Sequence, residues 1–111
     1  MRRGEVWWVD FNPSLGGEIR KRRPAVIVSN DAFNTYANRL QVIPVTSNVE
    51  RVYPSETLIT LNGRPGKAMA DQLTTVSKQR LSNKAGVLTA EEMDRIERAI
   101  RIQLDLTGPA R

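Results

Sequence analysis

The sequence predicts a mainly β fold with a C-terminal helix, and three observations carry that prediction. Short apolar stretches rich in Val, Ile and Thr recur from residue 4 to residue 76, broken by Asn, Pro and Gly. Near the end the period changes: Met93, Ile96, Ile100 and Leu104 recur at helical spacing. No repeat, low-complexity segment or linker interrupts the 111 residues, a length that suits one domain over 1–111.

A first strand is predicted from Gly4 to Phe11, where Val6, Trp7, Trp8, Val9 and Phe11 place apolar side chains on both faces. Such a strand needs cover twice, from the core and from a helix or a second subunit, and both tryptophans are read as core packing. A loop follows over Asn12 to Arg22, punctuated by Asn12-Pro13 and Gly16-Gly17, and a second strand runs from Arg23 to Ser29. Asn30-Asp31 caps a helical turn reaching Tyr36, because Asx side chains accept from unpaired helix N–H groups.

Leu40 to Val45 and Thr57 to Leu61 are the third and fourth strands. Asn62-Gly63 is a strong turn signal, and Pro65-Gly66 reads as a second one close behind. Lys67 to Val76 continues as one or two strands, interrupted by Asp71-Gln72. Thr89 with Glu92 three residues on forms a capping box for the terminal helix. Arg95, Arg98 and Arg101 lie off its apolar stripe, and Gly108-Pro109 is read as its stop. Several short strands and one helix fit a small, strongly curved sheet or barrel, for which an SH3-like arrangement is one way to close.

Lys+Arg 17 against Asp+Glu 12 leaves a net charge of +5, which favours a nucleic acid or an acidic protein as partner. There is no cysteine and no histidine. Disulfides, thiolate metal sites and conventional zinc sites are therefore excluded, as are Ser-His and Cys-His nucleophile pairs. Catalysis must use Arg, Lys, Asp, Glu, Ser, Thr or Tyr, and neither a metal nor a cofactor is expected. The apolar run Val6 to Val9 is broken by Asp10 and is too short for a signal segment, and no run reaches membrane-spanning length. The chain reads as soluble and cytoplasmic, with no membrane partner.

Three polar groups fall at strand edges: Glu18 with Arg20, Lys21, Arg22 and Arg23; Thr46, Ser47 and Asn48; and Asp71 with Gln72. Singly, each has an ordinary explanation as a solvated loop, a turn or a bulge. Together they suit RNA cleavage by the substrate's own 2′-hydroxyl. That reaction needs a base, cations for the pentacoordinate phosphorane and a proton for the leaving 5′-oxygen, but no obligatory metal or histidine. Arginine suits the phosphorane, since its fork of donors matches phosphate oxygens.

Gly4 to Pro13, then Gly16, Glu18 and Arg23-Pro24-Ala25-Val26, resemble the opening of the MazF/PemK (Kid) toxin family. The likeness continues through Val42 to Ser47, Val52-Tyr53-Pro54, Ala70-Asp71-Gln72 and the closing helix, so it spans nearly the whole chain. The resemblance implies an SH3-like barrel of the CcdB/Kid/MazF type acting as a homodimer. It also implies a metal-independent, sequence-specific endoribonuclease that cuts single-stranded RNA to a 2′,3′-cyclic phosphate and a 5′-hydroxyl. A cognate antitoxin with an acidic tail would occupy the RNA groove.

By position, the family's central arginine and threonine fall on Arg23 and Thr46, and its loop glutamate on Glu18; these three are the catalytic candidates. Arg20, Lys21, Arg22, Ser47, Asp71 and Gln72 are the RNA-binding candidates. Met69 stands where the Kid branch has an arginine, and Arg22 where some members have a histidine. The Kid acid–base pair therefore does not transfer whole. Two other readings are a CcdB-like gyrase poison, which needs no Arg23–Thr46 pair, and a non-catalytic RNA-binding module, which would carry more exposed aromatics for stacking.

Overall fold

The structure, a computed structural model, describes residues 1–12, 16 and 21–106. In chain order the elements are β1 (Glu5–Asp10), β2 (Arg22–Ile27), α1 (Asp31–Tyr36), β3 (Arg39–Thr46), β4 (Glu56–Leu61), β5 (Arg64–Met69), β6 (Thr74–Ser77), β7 (Leu81–Val87) and α2 (Ala90–Gln103). Every strand pairing is antiparallel. The strand order is β4-β5-β3-β2-β1-β7, with β6 also on β3.

β3 is the pivot of this sheet. Its first half, Arg39 to Val42, pairs with β6, whereas Val45 and Thr46 pair with β5. A 3-10 turn at Ala70–Gln72 carries the chain from one partner to the other. The sheet curls until its edge strands approach: Asn62 Nδ2 donates to the Ala85 carbonyl at 3.2 Å, and a Cβ on Gly86 would sit 2.9 Å from Leu61 Cδ1.

Both faces are covered along the central stretches Ala25 to Ile27 of β2 and Val42 to Val45 of β3, and there the sequence is apolar without interruption. Val26, Ile43 and Val45 join Ile59, Ala68 and the α2 residues Met93, Ile96 and Ala99 in one core. Ala25, Ile27, Leu40 and Val42 join Val9, Phe11, Val76 and Leu81 in a second core on the other face. Asn30 caps α1 by accepting from the Phe33 N–H at 2.9 Å. The Thr89–Glu92 capping box forms, and the second Glu92 oxygen accepts from the Thr60 N–H at 2.8 Å, tying α2 to β4.

The structure departs from expectation at five points. Trp7 packs at the edge of the second core and donates its indole N–H to Glu5 at 2.9 Å, but Trp8 lines a groove instead of the core. Pro65 and Gly66 lie within β5, paired with Thr60 and Ile59. β7 is a strand the sequence did not announce: Ser82, Asn83 and Lys84 are exposed, and its pairing with β1 carries two register shifts. Finally, α2 ends at Gln103, ahead of Gly108-Pro109, which lie outside the described residues. Asp105 turns left-handed (φ 52°), and the Leu106 N–H reaches back to the Arg101 carbonyl at 2.9 Å. Leu104, read as part of the apolar stripe, is half exposed.

Candidate nucleic-acid interface

A groove of about 730 Å³ opens where the β1–β2 mouth, the end of β3 and the β4–β5 turn come together. Its described lining includes Lys21, Arg22, Arg23 and Arg64 and no carboxylate. Such a surface concentrates anions, because cations on facing walls add their fields.

Arg23 and Thr46 share the groove floor. β2 and β3 are paired as far as Ala25 with Pro44, and Arg23 and Thr46 each lie two residues beyond that last pair, on the groove-lining ends of their strands. Thr46 in turn pairs directly with Lys67 of β5. Thr46 Oγ1 accepts the Asn48 N–H at 3.2 Å, so its own hydrogen is available to a ligand oxygen. Pro24 follows Arg23 and disfavours the helical region there, which suits entry into a strand. Ser47 lies beside Thr46 at the rim, exposed.

The basic run proves to be partly tied down, not uniformly solvated. Arg22 donates to Ser82 Oγ and, at 2.7 Å, to Asn83 Oδ1, and its guanidinium lies 5.4 Å from the Trp8 ring centroid. Lys21 takes a left-handed backbone (φ 67°), accepting from the Phe11 N–H and donating its own N–H to Asn12 Oδ1 at 3.1 Å. Glu18 and Arg20 lie outside the described residues. Asp71 and Gln72 occupy the 3-10 turn and do not line the groove; Asp71 is exposed there.

The facing wall was not foreseen in the sequence. Asn62 (φ 53°) and Gly63 (φ 77°) form a tight left-handed turn between the paired residues Leu61 and Arg64, and Leu61, Asn62, Arg64 and Pro65 all line the groove. The Asn62-Gly63 signal located the turn, but nothing in it announced what the turn would face. Gly66 permits the wall's close approach, since a Cβ there would lie 3.0 Å from Val45 Cγ1.

Among the described residues no group of three His, Cys, Asp or Glu could hold a metal ion, and no helix is long and apolar enough to cross a membrane.

A curled antiparallel sheet with a terminal helix, opening on a cationic groove, has close counterparts among known proteins. Residues 2–104 match the family model described as the PemK-like, MazF-like toxin of type II toxin–antitoxin systems, and the chain belongs to that family. It is 42% identical to Endoribonuclease MazF9 of Mycobacterium tuberculosis, over 96% of this chain and 98% of that protein. It is 32% identical to the Endoribonuclease toxin MazF of Escherichia coli K12, over 89% of each. In three dimensions it resembles MazF of Deinococcus radiodurans, with a TM-score of 0.85, 26% identity and coverage of 96% and 97%. It also resembles a mycobacterial endoribonuclease solved in complex with its cognate antitoxin, with a TM-score of 0.82, 25% identity and coverage of 98% and 99%.

Proposed function

We propose that this protein is a metal-independent, sequence-specific endoribonuclease toxin of single-stranded RNA, working in the cytoplasm and neutralised by a cognate antitoxin. The observation that carries this reading is the convergence of Arg23 and Thr46 in one groove lined by four cationic residues. The names of its relatives agree with it.

In the mechanism proposed, Glu18 removes the proton from the 2′-hydroxyl, whose oxygen attacks the adjacent phosphorus. The P–O5′ bond breaks, leaving a 2′,3′-cyclic phosphate and a 5′-hydroxyl. Arg23 supplies parallel N–H donors to the phosphorane oxygens as negative charge builds, and gives a proton late to the departing 5′-oxygen. Thr46 donates its hydroxyl hydrogen to a phosphate oxygen. Lys21 and Arg64 hold neighbouring phosphates from opposite walls, and Ser47 contacts the strand at the rim. Arg20, Asp71 and Gln72 act further along the RNA. Arg22, already held by Ser82, Asn83 and Trp8, serves as a fixed wall.

The protein acts as a homodimer in this proposal. Ile102, Leu104 and Leu106, each about half exposed at the end of α2, offer apolar surface for a second copy. The antitoxin's acidic tail competes with RNA for the cations of the groove.

The deciding experiment is cleavage of single-stranded RNA in excess EDTA, followed by chemical analysis of the new 3′ end. A cyclic phosphate formed at full rate is expected. A 3′-hydroxyl, or activity restored only by a divalent ion, overturns the mechanism.

A further inference from the structure

Outside the groove, a buried ion pair holds a loop. Lys67 Nζ lies 3.1 Å from Glu56 Oε1, with side chains only 10% and 9% exposed. The same ammonium donates to the Arg51 carbonyl at 2.8 Å, and Glu56 accepts the Tyr53 N–H at 2.9 Å. Both backbone groups belong to the connection 47–55, which leaves the groove at Ser47. Buried ion pairs seldom stabilise a fold more than apolar packing of the same volume would. This one holds two backbone groups of that connection in place.

It positions a shelf. Tyr53 is 52% exposed, and the Arg51 guanidinium lies 5.9 Å from its ring centroid while donating to its hydroxyl at 3.2 Å. The anchor is also continuous with the groove floor, since Lys67 pairs directly with Thr46. An exposed ring on a pinned backbone, with a guanidinium against it, matches the stacking platforms that receive unpaired nucleobases. Because the backbone is already ordered, little conformational entropy is lost when a base lands on it.

We propose that Arg51 and Tyr53 form a stacking subsite for one unpaired base of the RNA strand as it leaves the groove past Ser47, an inference that rests on the endoribonuclease reading. Lys67 is then a positioning residue that couples this shelf to Thr46. Strand specificity would accordingly extend beyond the nucleotides seated on the groove floor.

The test uses RNA oligomers taken from sites that the wild-type protein cuts, with a 2′-deoxy substitution at the cleaved nucleotide so that they bind intact. Each is lengthened one nucleotide at a time from either end, and affinity is read by fluorescence anisotropy. The wild type should gain affinity sharply when one particular nucleotide is added. Tyr53→Ala should erase that gain, a loss of roughly 5- to 150-fold for one stacked base, whereas Tyr53→Phe should keep it. A Tyr53→Ala protein that gains as much as wild type at every length overturns the subsite and leaves the endoribonuclease reading intact. Failure of the wild type to cut or bind any RNA overturns the endoribonuclease reading itself.

Discussion

Arg23 and Thr46 line one groove from neighbouring strands, each two residues past the last paired residues, Ala25 and Pro44. In the mechanism proposed, the guanidinium and the hydroxyl address the same phosphate from the two strands. Arg23→Lys keeps the charge but replaces a planar fork with a point donor. Losing one transition-state donor lowers the rate by about 10²–10³, so single-turnover cleavage should fall by that order while RNA affinity stays within a few-fold. A chemical step near wild-type speed would reduce Arg23 to a binding cation.

The groove cations should register in the salt dependence of binding. Removing one cation that neutralises a phosphate reduces the slope of log affinity against log salt by about 0.7 for a single strand. Lys21→Ala and Arg64→Ala lie on opposite walls and should each flatten the slope by that amount, for all sequences alike. An unchanged slope in either variant removes that wall from the RNA-binding surface.

Glu5 should dominate part of the acid sensitivity. Burial pushes its carboxyl up, but the Trp7 indole, the Arg2 N–H and Lys84 together outweigh burial and bring it from 4.5 down to about 2. The stabilisation is therefore complete above pH 4.5 and is lost as pH falls towards 2. Denaturant unfolding between about pH 5 and pH 2 should show a shallower pH dependence for Glu5→Gln than for wild type. Parallel curves would mean that Glu5 is not the linked group. Asp31 and Glu92 are also lowered, Asp31 chiefly by the Arg3 N–H and Glu92 by the Thr60 and Thr89 N–H groups against burial, so some dependence remains.

Glu92 joins two elements where Thr89 serves only one. Thr89→Ala removes a cap and should cost about 1 kcal/mol. Glu92→Ala also frees the Thr60 N–H, and should cost roughly 1.5–3 kcal/mol by urea unfolding. Equal losses would show that the bond to β4 contributes nothing.

Sedimentation at micromolar concentration should give twice the 12.5 kDa protomer mass. Introducing Asp at both Ile102 and Leu106 should return the protein to the protomer mass with its fold retained. A wild-type protein already sedimenting at 12.5 kDa rules out the dimer.

The strands that build the core were legible because their side chains repeat a burial rule: Val26-Ile27 and Val42-Ile43 are apolar on both faces, and both faces are covered. β7 was not, since Ser82, Asn83 and Lys84 face solvent and its place comes from pairing with a distant β1. Pro65 looked like a turn because proline cannot donate to a ladder. It is tolerated where β5 reaches past the Val45–Ala68 and Thr46–Lys67 pairs with β3, so its missing N–H leaves no paired carbonyl there unsatisfied. Arg23 and Thr46 were found through motif and order. Arg64 and Lys67 were missed because their neighbours lie on other strands, and a lysine's burial cannot be read from its own letter.

The meeting of Leu61 with Gly86, beside the Asn62–Ala85 bond, makes the sheet a hoop whose clasp sits at the rim of its own mouth. Leu61 borders the first core, the clasp and the groove at once. The mouth of the groove therefore has no wall separate from the closure of the fold. Widening the mouth means loosening the clasp.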